Sequence, residues 1–334
     1  MRLACIAILA MSCVGASAQI LIDSDHDGLS DALEQSLLER FTPTFIISKE
    51  DCSVAPARFR EGVAIPTPVA DDATIYGQAF PAEGGVELHF YDLWRADCGR
   101  LGHPLDTEHV SALVGGTGED ASTYTARYWY AAAHEDTVCD ASQITRAATI
   151  HAQTHGAKIW VSTGKHASFL DEELCRRGCG GDRCEEMTEL HNVHIVNLGE
   201  ADAPMNGAVW AQSAAWPGLL TTKMMRSDMR APLLTRLESL PDTDVAWANP
   251  DKRPAQATIA AGNTTIDALA MSDRKTNTAL VIAGDHTGSA LDKSYGAVKG
   301  AIGTSLRNTG RFLRGGDKSA EQEKKPSVKG EPKR

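Results

Sequence analysis

The run Val86-Glu87-Leu88-His89-Phe90-Tyr91-Asp92-Leu93-Trp94 decides the fold class. It is rich in aromatic and apolar residues, and Gly84-Gly85 before it and Cys98-Gly99 after it punctuate its ends, so it reads as a strand. Outward from it, Ala73 to Tyr76, His109 to Val114, Thr123 to Ala132, Lys158 to Ser162 and His194 to Leu198 carry the same signal. Ser142 to His155 reads as an intervening helix. Few of the strands are followed by a helical stretch, which argues against a parallel α/β sheet. The expectation is a mainly β protein with a sandwich-like core and peripheral helices.

The 334 residues include 33 Lys and Arg against 44 Asp and Glu, a formal charge of −11. A hydrophobic share of 42% is enough for a real core and excludes global disorder. The acidic balance excludes a nucleic-acid-binding body, which needs a basic face for phosphates, and suits a protein that holds hard cations. Beyond the N-terminus no stretch reaches the about 20 apolar residues needed to span a bilayer.

Residues 1–18 have the layout of a secretory signal peptide: Met1-Arg2, an apolar Leu3 to Val14, and Ala16-Ser17-Ala18 before Gln19. The chain is therefore expected outside the cytoplasm, secreted or periplasmic; a lipoprotein anchored at Cys13 is the weaker reading. Six cysteines lie beyond this segment, Cys52, Cys98, Cys139, Cys175, Cys179 and Cys184, and an even number in an exported chain reads as disulfides. Their pairing stays open. A zinc knuckle at Cys175, Cys179 and Cys184 competes, but no well-spaced fourth ligand is present.

Asp23-Ser24-Asp25-His26-Asp27-Gly28-Leu29-Ser30-Asp31-Ala32-Leu33-Glu34 is the sharpest local signal. Side-chain oxygens of Asp23, Asp25, Asp27, Asp31 and Glu34 fall at positions 1, 3, 5, 9 and 12 of a calcium loop. Gly28 makes the sharp turn at position 6, and Leu29 offers a carbonyl at position 7. Only Gln19 to Ile22 precede the loop in a cleaved chain, so a paired EF-hand is not expected. The loop is similar to the single Asp-rich loops of thrombospondin-type-3 and dockerin modules, and Ca2+ there would be structural. From Ser30 a helix follows, with Leu33, Leu37, Leu38 and Phe41 on one face and Pro43 ending it. The expected organisation is a signal peptide at 1–18, calcium loop and helix at 19–43, β-rich core at 44–250, an Ala/Gly-rich region at 251–314 and a disordered tail at 315–334. Tyr295, Val298, Ile302, Leu306, Phe312 and Leu313 form a helical stripe among basic residues; it reads as a docked terminal helix or as a membrane-surface helix.

Gly102-His103-Pro104-Leu105-Asp106-Thr107-Glu108-His109-Val110 gathers an imidazole and two carboxylates. If the segment is extended from Asp106, then Asp106 and Glu108 share a face, because strand side chains alternate. His103 on the preceding turn and Asp97 upstream could fold over the same spot. Such a set suits a second divalent cation, Ca2+, Mg2+ or Mn2+, rather than a soft metal. Charged residues at a strand start are also commonly just solvated, and both readings stay open on these residues alone.

This segment resembles the Gly-His-x-x-Asp-x-Glu motif of the necrosis-inducing (Nep-like) secreted proteins, which surrounds a divalent cation, and the His/Asp/Trp/Glu-His-Val segment of the vacuolar-protein-sorting-62-like family. Similarity to the latter extends over Leu38 to Pro43, Tyr128-Trp129-Tyr130-Ala131-Ala132-Ala133-His134 and Lys158 to Phe169, with Gly164-Lys165-His166-Ala167-Ser168 as its Gly-x-His-Ala-Ser. Thr107 replaces the usual Trp, and Pro104-Leu105 replace the charged pair of the Nep-like proteins, which weakens the expectation of their plant-toxin activity. The resemblance covers about Leu37 to Trp216. It implies a cation at His103, Asp106 and Glu108, to which the residue reading adds Asp97, and a surface-acting role on lipid or glycan head groups.

The alternative is a metal-dependent phosphoester or glycan hydrolase, with His134 or His166 as general base beside that cation; a purely structural envelope component is a third reading. His151 and His155 are spaced for one helix face, without the metalloprotease Glu. No nucleophile elbow and no phosphate-binding Gly loop is present. The tryptophans, His191 and His194 read as core.

Overall fold

The run 86–94 forms the middle of the longest strand pair among the described residues. A computed structural model describes residues 21–99, 102–135, 137, 140–178, 182–199, 205–216, 220–225, 237, 239–240 and 244–249. They belong to the first of two units, Met1–Thr265. Residues 1–18, Cys139, Cys179 and the whole region from 251 to 334 lie outside the described residues.

In chain order the strands are β1 (Thr44–Ser48), β2 (Arg58–Phe59), β3 (Pro68–Ala70), β4 (Thr74–Ala82), β5 (Gly85–Asp97), β6 (His103–Gly115), β7 (Thr125–Ala131), β8 (Gln143–Arg146), β9 (Lys158–Val161), β10 (Ser168–Phe169), β11 (Met187–Glu189), β12 (His194–Asn197) and β13 (Val245–Trp247). Seven make one sheet in the order β12-β4-β5-β6-β7-β8-β13; β10-β9-β1-β11 make a second, and β2 and β3 form a ribbon. The large sheet is antiparallel except for β12 beside β4. This is the mainly β, sandwich-like architecture expected from the spacing of the runs.

Strands β5 and β6 are buried on both faces, which is why their sequences do not alternate apolar with polar. On one face Leu88, Phe90 and Trp94 of β5 and Val110 and Ala112 of β6 pack against Phe45 and Ile47 of β1 and Ile159 and Val161 of β9. On the other, Tyr91 and Leu93 join Phe59, Tyr76, Trp210 and Trp216. Trp94, Trp129, Trp210 and Trp216 are all core, as read from the sequence, whereas His191 and His194 are exposed.

Helix α1 (Asp31–Phe41) closes the same core. Ser30 caps it, its Oγ accepting from Leu33 N, and Asp31 and Glu34 favour the positive end of the helix dipole. Leu33, Leu37, Leu38 and Phe41 are buried. Leu38 approaches β4 so closely that a Cβ at Gly77 would lie 2.7 Å from its Cδ2, so only glycine fits without repacking.

Two expectations are corrected. Residues 142–155 are not a helix: Gln143 to Arg146 pair with β7 as β8, and a turn follows in which His151 has φ 56°. Ile144 and Thr145 are β-branched and stiff, and pairing with β7 overrides helical propensity. His151 and His155 therefore share no helix face. The zinc knuckle is also excluded, because Cys175 and Cys184 are bridged to one another across α2 (Glu172–Arg177), and no pair of thiolates is left there. A second disulfide joins Cys52 to Cys98.

Candidate functional site

Three segments converge at the open end of β5 and β6: the Asp51-Cys52 turn, the Asp97-to-Glu108 hairpin and the turn Ser162 to His166. The backbone clamps them together. Cys98 N and Gly99 N both donate to Gly164 O at 2.9 and 2.8 Å, and Gly164 N donates to Asp51 Oδ2 at 2.7 Å. The Cys52–Cys98 bridge ties the first two segments covalently.

Register places the side chains. Asp92 pairs with Glu108, Trp94 with Asp106 and Asp97 with His103, so Asp92, Asp106 and Glu108 share one face, as the extended reading of the motif requires. Asp97, Asp106 and Glu108 are buried, and the His103 side chain is 42% exposed at the mouth. One ligand atom each from Asp97, His103 and Asp106 lies within 4.8 Å of the others. Glu108, likewise buried, feels the charges of Asp106, Lys223, Asp92 and Asp182. Leu105, between the two parts of the motif, has φ 59°, a left-handed conformation that costs a branched residue energy and turns the strand there.

Charge is concentrated. Burial pushes Asp92 up to about 7, and burial together with the Asp106 charge pushes Glu108 well above the usual carboxylate range. Asp92 Oδ2 accepts from Trp94 Nε1 at 3.0 Å, while its Oδ1 is buried without a hydrogen bond. His166 is wholly buried and stacked on Trp94, ring centroids 4.0 Å apart. Its Nδ1 lies 2.9 Å from Asp106 Oδ2 and its Nε2 3.4 Å from Asp51 Oδ1. Burial opposes its charge, but the hydrogen bonds to Asp106 and Asp51 outweigh it and raise the imidazole to about 9. Asp51 is correspondingly lowered: burial works against its charge, and His166 overcomes that. His134 Nε2 lies 2.8 Å from Asp182 Oδ2, and Ser162 Oγ donates to Asp182 Oδ1 at 2.9 Å. Here too burial alone would lower the imidazole, and the Asp182 charge and hydrogen bond raise it instead. Both histidines thus face carboxylates that favour their protonated form.

The donor set of two carboxylates and one imidazole fits a hard or borderline divalent cation with water or ligand oxygens completing its shell. Asp51, Cys52 and Cys98 also gather, but their two sulfurs are consumed by the disulfide. Residues the sequence reading missed are Asp51, Asp92, Lys165 and Asp182. The matching Asp-Cys pairs, Asp51-Cys52 and Asp97-Cys98, were the available signal for the first.

The six residues of the N-terminal reading are also placed. Asp23, Asp25 and Asp27 bring side-chain oxygens within 4.8 Å of one another, Leu29 and Asp31 are half-buried, and Glu34 is wholly buried. Burial and the neighbouring Asp25 raise Glu34 to about 8 and Asp27 to about 6.

No protein-family model matches the chain, and no curated protein matches it. Among solved structures it is similar to a mutant of NLPPya, at 12% identity over 65% of this chain and 92% of that one, TM-score 0.38. NLPPya in complex with glucosamine matches at 13% identity over 66% and 95%, TM-score 0.35. Necrosis and ethylene inducing protein 2 from the causal agent of cocoa's witches' broom disease matches at 17% identity over 45% and 74%, TM-score 0.28. The resemblance to vacuolar-protein-sorting-62-like proteins rests on the quoted segments alone.

Proposed function

We propose that this is an exported, surface-acting protein that holds a divalent cation at Asp97, His103 and Asp106 and presents it to lipid or glycan head groups. The convergence of those three side chains at an open sheet end carries the reading. The excess of buried carboxylate around Glu108 supports it, since buried negative charge is costly unless a cation answers it. A cation held by two or three protein ligands keeps coordination positions for hydroxyl or phosphate oxygens, which is how it would touch a head group. Among the described residues no helix is long and apolar enough to cross a membrane.

The hydrolase alternative needs His134 or His166 to act as base, and the carboxylates beside each favour its protonated form. The test is metal analysis and co-sedimentation with vesicles carrying anionic or glycosylated head groups, with and without EDTA, for the wild type and Asp97→Asn/Asp106→Asn. Cation-dependent binding lost in the variant is expected. Equal binding by the variant, or none by either protein, overturns the reading. Turnover of a phosphoester or glycoside that the variant loses would favour the hydrolase.

A further inference from the structure

The loop 23–34 is built as more than an acidic cap on α1. Backbone donors hold it shut. Asp23 Oδ1 accepts from His26 N at 2.7 Å and Oδ2 from Gly28 N at 3.1 Å, and Asp27 Oδ1 accepts from Leu29 N at 2.7 Å. Asp31 takes Ser24 N and Ser24 Oγ, one on each oxygen. Gly28, at φ 98°, makes the turn with nothing within 4 Å of where a Cβ would be. These bonds bring three carboxylates together against their own repulsion.

Glu34 is the observation that points to a ligand. It is completely buried; its Oε2 accepts from Asn197 Nδ2 at 3.1 Å, and its Oε1 is buried with no hydrogen-bond partner. Asp27 Oδ2, whose carboxylate charge acts on Glu34, is buried in the same condition. A helix cap has no reason to bury a carboxylate in the field of Asp25, Asp27 and Asp31 with one oxygen unanswered, since a water-facing glutamate would serve the helix equally. A hard cation answers both orphan oxygens at once.

We infer that Asp23, Asp25, Asp27 and Glu34, with the Leu29 carbonyl, bind one calcium ion that staples the start of the chain to the edge of the seven-stranded sheet. The staple has two anchors besides the loop. Glu34 reaches β12 through Asn197, whose Oδ1 accepts from Gly199 N and whose carbonyl accepts from Asn206 Nδ2. Ser30 Oγ donates to Glu119 Oε2 at 2.5 Å, across 89 residues. The ion therefore closes α1 onto β12, because its ligand Glu34 is itself bound to Asn197 of that strand. Many carboxylates in a twelve-residue loop favour Ca2+, which accepts irregular shells of six to eight oxygens, over Mg2+, which keeps its waters.

Calorimetric titration of metal-stripped full-length protein with CaCl2 tests this, beside Asp25→Asn/Asp27→Asn, Glu34→Gln and Asp97→Asn/Asp106→Asn. The loop double variant is expected to bind one Ca2+ fewer per chain and to lose the calcium-induced rise in Tm. Glu34→Gln is expected to weaken that ion at least tenfold while the metal-free protein melts no lower than wild type, because the amide oxygen can still accept from Asn197 and adds no buried charge. The central variant is expected to keep the loop ion, so the two sites fail independently. Calcium binding and Tm shift that are unchanged in the loop double variant, or a wild type whose Tm ignores calcium, overturn the inference, as does equal affinity for Mg2+.

Discussion

The ammonium of Lys165 lies 2.6 Å from Asp97 Oδ2, the carboxylate that also faces His103. An internal cation thus stands where a divalent one would sit, and the Lys165 side chain is mostly buried there. Binding of metal at the central site means displacing that ammonium from Asp97.

Lys165→Met is therefore expected to tighten the central site for Mn2+ or Ca2+ by about tenfold, near the roughly 1.5 kcal/mol of a charge-assisted hydrogen bond. Calorimetry on the wild type and the variant reads it. An unchanged affinity would mean that Lys165 and the cation do not compete.

The His134–Asp182 pair predicts a pH dependence of stability. Folded His134 holds its proton more tightly than the unfolded chain does, so the stabilisation is complete below about pH 6.5 and fades as pH climbs through the raised folded value. Asp182→Asn is expected to cost roughly 3 kcal/mol at pH 6 and clearly less at pH 9, by denaturant titration. A cost that is the same at both pH values would place the effect in packing instead.

Removing the Cys52–Cys98 bridge, which closes 46 residues of chain, is expected to cost about 2–5 kcal/mol. Cys52→Ser/Cys98→Ser should also weaken the central cation while leaving the N-terminal loop ion intact. Retained central affinity in the double serine variant would show that the backbone bonds to Gly164 suffice.

Leu38→Ala should destabilise by about 2–5 kcal/mol, since the side chain is wholly buried and fills the space above Gly77. Chemical denaturation measures it. A loss under 1 kcal/mol would mean that α1 settles onto β4 and fills the cavity.

What was legible in the sequence was local. Leu33, Leu37, Leu38 and Phe41 at helical spacing, between Ser30 and Pro43, give α1 to within a residue. The shared face of Asp106 and Glu108 follows from the period of a strand. Residues 143–146 misled, because four residues of β8 carry too little pattern to outweigh a nearby alanine-rich stretch, and only pairing with β7 settles them. The rest of the site is long-range. Asp51 meets Gly164 across 113 residues and His166 meets Asp106 across 60, and no spacing rule connects them. The glutamate at loop position 12 was legible; its clasp by Asn197, 163 residues away, was not.

The two Asp-Cys pairs have a consequence in time. Asp51 and Asp97 each stand one residue before a bridged cysteine, so the distance between the carboxylate that holds His166 and the one that holds Lys165 is set by an oxidation event. Where thiols are kept reduced, that event does not occur. A freshly made chain in such surroundings carries all the residues of the central site with only the backbone bonds through Gly164 between them, and the covalent tie follows when its surroundings turn oxidising. Exposure to oxidant, rather than synthesis, would then set the moment at which that covalent tie closes.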